Sequence, residues 1–258
     1  MSDKSPIFAG IEIIHAAGRL RHAFVYAALD DERELLAIGH GDRNEVLAYL
    51  GGQQAAYAAI NAPRGVNTRA VNDVTVRQDK LPFEKPAHRT NARVCEVLLG
   101  QAGFKMPATP DKIKSCRIWM RRGFDLYRRL EGFGYAPFPN QEGARCTLET
   151  HAEAVLWRLL NRKLPLPASL VGRLQRQLIL LDCGLPVPDA MDFFLEITRH
   201  KLMQGELPDQ DIYTLAELNA LTAAFIAWEA AHHPDKIELV GDEAEGQIAL
   251  PEISPPHL

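Results

Sequence analysis

Long apolar runs are missing from this chain. No stretch approaches the about 18 consecutive apolar residues that a membrane-spanning helix requires. The first residues also lack the basic-then-apolar pattern of a secretory leader. A cytoplasmic protein with no membrane partner is therefore expected. Cysteine is sparse: Cys95, Cys116, Cys146 and Cys183 have no CxxC spacing, which argues against a zinc site or a disulfide framework and suits reduced thiols. The nine histidines form no HxxxH pair. Internal repeats are absent. So is a glycine-rich phosphate loop, which weighs against a nucleotide-dependent phosphotransferase. What remains is a chain of 258 residues with ordinary globular composition, long enough for one large domain.

The net charge of −4 conceals an asymmetry. Residues 85–176 carry 17 basic and 7 acidic groups, whereas residues 177–258 carry 3 basic and 15 acidic groups. Two readings follow. The basic middle presents a positive surface to a polyanion, or it packs against the acidic tail.

Ile7 to Ile14 is apolar at alternate and intervening positions alike, the pattern of a strand covered on both faces. Glu12 interrupts it. A carboxylate there must have a partner or a task, because even a neutral polar group costs roughly 2–7 kcal/mol to bury unpaired. A turn at Ala17-Gly18-Arg19, a strand over 20–29, a turn at Asp30-Asp31 and a strand over 34–39 make an antiparallel meander. Asp42 is suited to cap a helix over 44–50, ended by Gly51-Gly52. The small apolar run 55–60, stopping at Asn61-Ala62-Pro63, reads as a strand lying parallel to the first, with its carboxyl end near Glu12.

Residues 64–88 read as a long surface loop, with Asp73 to Val76 as a short exception at most. Helical periodicity returns over 90–99 and strongly over 115–131, where Met120, Phe124, Tyr127 and Leu130 share a core face. Arg117, Arg121 and Arg128 form an outward stripe there, suited to phosphate or simply to solvent with Asp125 and Glu131 as local partners. A strand over 144–150 ends in Glu149 and runs into a helix over 151–160. Helices over 169–181, 188–203 and 211–231 follow, then edge strands over 236–240 and 247–250. Thr214 and Glu217 have capping-box spacing.

This order resembles a ribonuclease-H-like domain, and more specifically the family of predicted nucleases labelled domain-of-unknown-function 429. The likeness is carried by Ala9-Gly10-Ile11-Glu12, where that family has a Gly-Ile-Asp strand, and by Ile60-Asn61-Ala62-Pro63, where it has Ile-Asp-Ala-Pro. Arg93-Val94-Cys95-Glu96 is similar to its Arg-x-Cys-Asp signature, and Thr109-Pro110 with Trp119-Met120-Arg121 and Gly123 to Tyr127 to its middle segment. Further along, Leu148-Glu149-Thr150-His151, the basic segment Gly172 to Arg176, the helix Glu217 to Ala224 and the closing stretches Val240-Gly241 and Glu245 to Pro251 complete it. The resemblance implies a mixed α/β sheet, with strands one to three antiparallel, later strands parallel to the first, and helices on both faces. It implies a single domain over 1–258, with a helical insertion around 85–140 and C-terminal helices around 169–231.

The chemistry it implies is metal-assisted phosphodiester hydrolysis. Converging carboxylates hold Mg²⁺ or Mn²⁺, and two ions about 4 Å apart activate water and stabilise the leaving oxygen. The catalytic set would be Glu12, Asn61, Glu149 and Asn219, with Glu12, Asn61 and Glu149 as metal ligands, Glu96 assisting and His151 as a base or ligand. Arg93, Arg117, Arg121, Arg128, Arg173 and Arg176 would hold a nucleic-acid substrate. Two of the four expected acids are amides here, which lowers the charge available to a cation. A non-catalytic descendant that binds nucleic acid or a protein therefore stands beside the nuclease as the alternative expectation.

Overall fold

The computed structural model describes residues 5–14, 22–81, 91–104, 106–140 and 144–252. The turn expected at Ala17-Gly18-Arg19 and the end of the loop expected over 64–88 lie outside these residues. A mixed sheet forms the centre. Strand β1 (Ile7–Ile13) pairs antiparallel with β2 (Phe24–Leu29), and β2 antiparallel with β3 (Leu35–Gly41). On its other side β1 runs parallel to β4 (Ala56–Asn61), which the short β5 (Ala136–Pro137) follows in the chain. Strand β4 is parallel to β6 (Arg145–Thr150), with β5 as a side branch on β6. Two late strands, β7 (Ile237–Asp242) and β8 (Gly246–Pro251), close the sheet. Its order is β3-β2-β1-β4-β6-β8-β7, so of the two late strands β8 lies inside and β7 forms one edge, with β3 at the opposite edge.

Helices cover both faces. On one, α1 (Arg43–Gly51) and α4 (Ile118–Gly132) bury Leu47, Leu50, Met120, Leu126 and Leu130 against Ile11, Ile13 and Ile60. Asp42 caps α1 through Asn44 and Glu45 N–H groups, and Glu45 returns the bond to the Asp42 N–H. On the other face lies α9 (Leu215–His232). It is apolar nearly all round, and accordingly buried nearly all round. Its start is set by the Thr214–Glu217 capping box, and Glu217 also meets His40. Beside it pack α5 (Ala152–Leu160) and α6 (Leu170–Asp182). No helix among the described residues is long and apolar enough to cross a membrane.

Two stretches differ from the sequence-based expectation. Residues 64–88 are not all loop: a 3₁₀ turn at Ala70–Asn72 leads into α2 (Val74–Lys80), and Val71 joins Leu81, Ala92, Val94 and Val97 in a satellite core under α3 (Val94–Gln101). The helix expected over 188–203 is two short ones, α7 (Asp192–Glu196) and α8 (Arg199–Met203). Ile197 is extended, and the Thr198 hydroxyl accepts the Lys201 N–H, so a local side-chain bond restarts the helix.

Gly10 decides how closely α9 approaches the sheet. A Cβ at this position would lie 1.9 Å from the Ala220 carbonyl oxygen and 2.1 Å from the Ala224 nitrogen. Backbone therefore touches backbone, and the residue two further along β1, Glu12, comes beneath the first turns of α9. Gly10→Ala is expected to cost about 3 kcal/mol, at the upper end of ordinary overpacking. A urea midpoint equal to the parent's at unchanged slope would contradict this contact.

Candidate functional site

Glu12 and Asn61 are register partners at the carboxyl ends of β1 and β4. In a parallel pair, partners project from the same face, and both side chains turn toward α9. Asn61 Nδ2 donates to Glu12 Oε2 at 2.5 Å, while Asn61 Oδ1 accepts the Ala152 N–H at 3.3 Å. That N–H is one of the unpaired donors in the first turn of α5. It fixes which end of the amide faces Glu12: the nitrogen. Asn219, on α9, also hydrogen-bonds to Glu12. Burial pushes the Glu12 carboxyl up to about 8, and these two amides offset the effect only in part.

Glu149 is placed differently. It lies opposite Ile60, one residue out of step with the Glu12–Asn61 pair. A one-residue offset reverses the face. Glu149 accordingly turns with Thr147 and Ile60 toward the side of α4, while Leu148 packs with Ala59 on the side of α9. Its carboxylate is also engaged. Arg93 spans it with Nη1 on Oε2 at 2.9 Å and Nη2 on Oε1, and the Arg64 N–H adds a third bond at 2.9 Å. Glu96 accepts from Arg93 Nε at 3.0 Å and from both the N–H and the hydroxyl of Thr109. Burial opposes the charge on Arg93, and Glu149 and Glu96 more than compensate, holding the guanidinium well above the usual arginine range.

These positions bear on the expected Mg²⁺ or Mn²⁺. A hard divalent ion takes about six oxygen ligands or more and needs several negative charges among them. Around Glu12 the Asn61 oxygen is turned away toward α5, and Glu149 is neutralised from the other face. The expected ligands Glu12, Asn61 and Glu149 do not form a donor set that fits the ion. Among the described residues no group of three His, Cys, Asp or Glu side chains is arranged to hold a metal. His151 is the N-cap of α5, its Nδ1 accepting the Ala154 N–H at 3.2 Å. Glu217, turned to Thr214 and His40, stands apart from the site.

The arginines expected on a substrate divide in two. Arg93 and Arg176 are corrected to interior positions, each at most 1% exposed. Arg176 donates to Glu153 at 2.6 Å and to the Gly172 carbonyl at 2.8 Å, bracing α6 against α5. Arg117, Arg121 and Arg128 are exposed, although Arg128 is paired with Asp125. Arg173 lies 3.8 Å from Asp209 and Arg158 2.5 Å from Glu238, so among the described residues the basic middle and the acidic tail meet in ion pairs at these two points.

Beyond the strand ends is a cavity of about 160 Å³. Glu12, Asn61 and Asn219 border it, with Met106, Trp119 and Leu215 among its apolar walls. Sequence reasoning found the polar members and missed these walls, which come from segments distant in the chain. Glu245, which the sequence places in the closing stretch with no site role, is 3% exposed and accepts N–H groups of Thr68, Ala70 and Val94. No family model matches the chain, and no curated protein or solved structure matches it.

Proposed function

We propose that this chain is a ribonuclease-H-like domain that binds a ligand at the carboxyl end of its first strand and does not hydrolyse phosphodiesters. Support for the fold reading is the strand order 3-2-1-4-6, with β2 and β3 antiparallel and β4 and β6 parallel along their neighbours. The observation that carries the functional reading is the pairing of the two carboxyls. Glu12 is held by amide donors where a nuclease needs cation-binding oxygens, and Glu149 is held by Arg93. In-line displacement assisted by two metals requires carboxylates that share an ion. Here each carboxyl has its own protein partner.

The direct test incubates the full chain with single- and double-stranded DNA and RNA in Mn²⁺ or Mg²⁺. No cleavage is expected; cleavage that disappears in Glu12→Gln would overturn the proposal. The converse experiment builds the missing charge. Asn61→Asp with Asn219→Asp replaces both amide donors by acceptors, and the carboxylate introduced beside Glu12 can still accept the Ala152 N–H. Mn²⁺ affinity, measured by calorimetry, is expected to rise at least about tenfold over the parent, or about 1.4 kcal/mol. Equal affinity in the two proteins would mean that the amides are not what excludes the ion.

A further inference from the structure

The cavity beside Glu12 has both a size and a sign. A cavity of about 150 Å³ accommodates a benzene ring, so the 160 Å³ here fits one ring-sized group. Met106, Pro107, Trp119, Pro167, Leu215 and Ile248 supply apolar surface for it. Among the described lining residues the charged or titratable ones are Glu12, Glu96, Glu149, Glu153, Arg93 and His151, the last capping α5 through Nδ1 on the Ala154 N–H. Arg93 is offset by Glu96 and Glu149, and Glu153 by Arg176. Among these, Glu12 is then the carboxyl that no cationic side chain offsets; its partners are the amides of Asn61 and Asn219. An anion or a phosphodiester entering here meets an excess of carboxylates.

Resting on the ligand-binding reading above, we infer that this cavity takes a small planar organic cation of the amidine or guanidine class carrying a ring-sized apolar group, with its N–H fork on Glu12. Glu12, which holds its proton below about 8 in the free protein, releases it to solvent as the cation enters. The fork then matches the carboxylate bidentately, and a delocalised cation is shed from water more readily than an ammonium. Each carboxylate oxygen has two lone pairs, so Oε2 can keep the Asn61 bond while accepting from the ligand. The apolar body lies against the walls at Leu215 and Met106.

The probe is benzamidine, titrated into the full chain by calorimetry, with neutral benzamide and anionic benzoate as shape-matched controls. Benzamidine is expected to bind with Kd below about 1 mM, and both controls at least about tenfold more weakly. Glu12→Gln, which keeps the shape of the site, should lose at least about tenfold in benzamidine affinity; Leu215→Trp, which fills the cavity, should do the same. No saturation by about 10 mM, equal binding of benzoate, or undiminished binding by Glu12→Gln would overturn the inference. Mn²⁺ competition separates the two levels. Displacement of benzamidine by Mn²⁺ would count against both readings, whereas a silent benzamidine titration in a protein that neither binds Mn²⁺ nor cuts nucleic acid would remove this inference alone.

Discussion

Arg93→Ala should destabilise the protein by about 3–5 kcal/mol, the range seen when one member of a buried ion pair is removed. That is a large part of the about 5–15 kcal/mol that holds a typical domain folded. Arg93 is 1% exposed, and its guanidinium joins three segments: Glu96 in its own helix, Glu149 at the end of β6, and the Glu245 carbonyl in the turn between β7 and β8. Without it, two buried carboxylates remain with only N–H and hydroxyl donors. The loss comes mainly from those stranded charges. Arg93→Met combined with Glu96→Gln and Glu149→Gln should therefore recover most of the stability that Arg93→Ala loses, since an uncharged, well-filled replacement of a buried ionic cluster is often neutral or better. Urea unfolding of the parent, the single and the triple variant checks both statements. A loss below about 1 kcal/mol in Arg93→Ala would mean that water reaches the pair.

The same arginine shows where reading from sequence stops. Periodicity found the strands because burial leaves a direct trace: Ile7 to Ile13 is apolar throughout, Glu12 apart, and buried throughout. Caps were equally readable, since Asp42 with Glu45 and Thr214 with Glu217 act within three residues. Glu12 and Asn61 were recognisable as neighbours because both interrupt apolar strands at their carboxyl ends. Register was not readable. Nothing local to β6 says that Glu149 stands opposite Ile60 rather than Asn61, and that one-residue difference turns it from a companion of Glu12 into the counter-charge of Arg93. Arginines at 93 and 176 have the same local appearance as the exposed ones at 117 and 121. Only the tertiary partners, Glu149 and Glu153, distinguish them. The cavity walls were hidden for a similar reason, being assembled from the connector at Met106, the start of α4 and the first turn of α9.

Glu12→Gln should make the protein more stable at pH 9 than the parent, by on the order of 4–5 kcal/mol, while leaving it nearly unchanged at pH 4. The folded carboxyl titrates near 8, whereas the unfolded one has the ordinary value of 4.5. Below 4.5 both states hold the proton, and the group favours neither. Between 4.5 and 8 the folded protein retains a proton that the unfolded chain has released, so the parent loses stability as pH rises through this window. Above 8 both are ionised and the full cost persists: a buried carboxylate whose nearest partners are the amides of Asn61 and Asn219. Arg93 does not relieve it, being committed to Glu149 and Glu96, and Arg176 is committed to Glu153. Glutamine is the neutral isostere and has no such slope. The difference between the two urea-unfolding free energies, followed from pH 4 to 9, cancels the carboxylates and histidines common to both proteins and isolates Glu12. Parallel curves across the range would show that the carboxyl ionises freely in the folded state, and hence that solvent or a cation already reaches it. A rising difference would establish the reverse, that the protein alone stabilises the protonated acid. In that case a bound amidinium, by supplying the missing counter-charge, should flatten the parent's slope toward that of the glutamine variant.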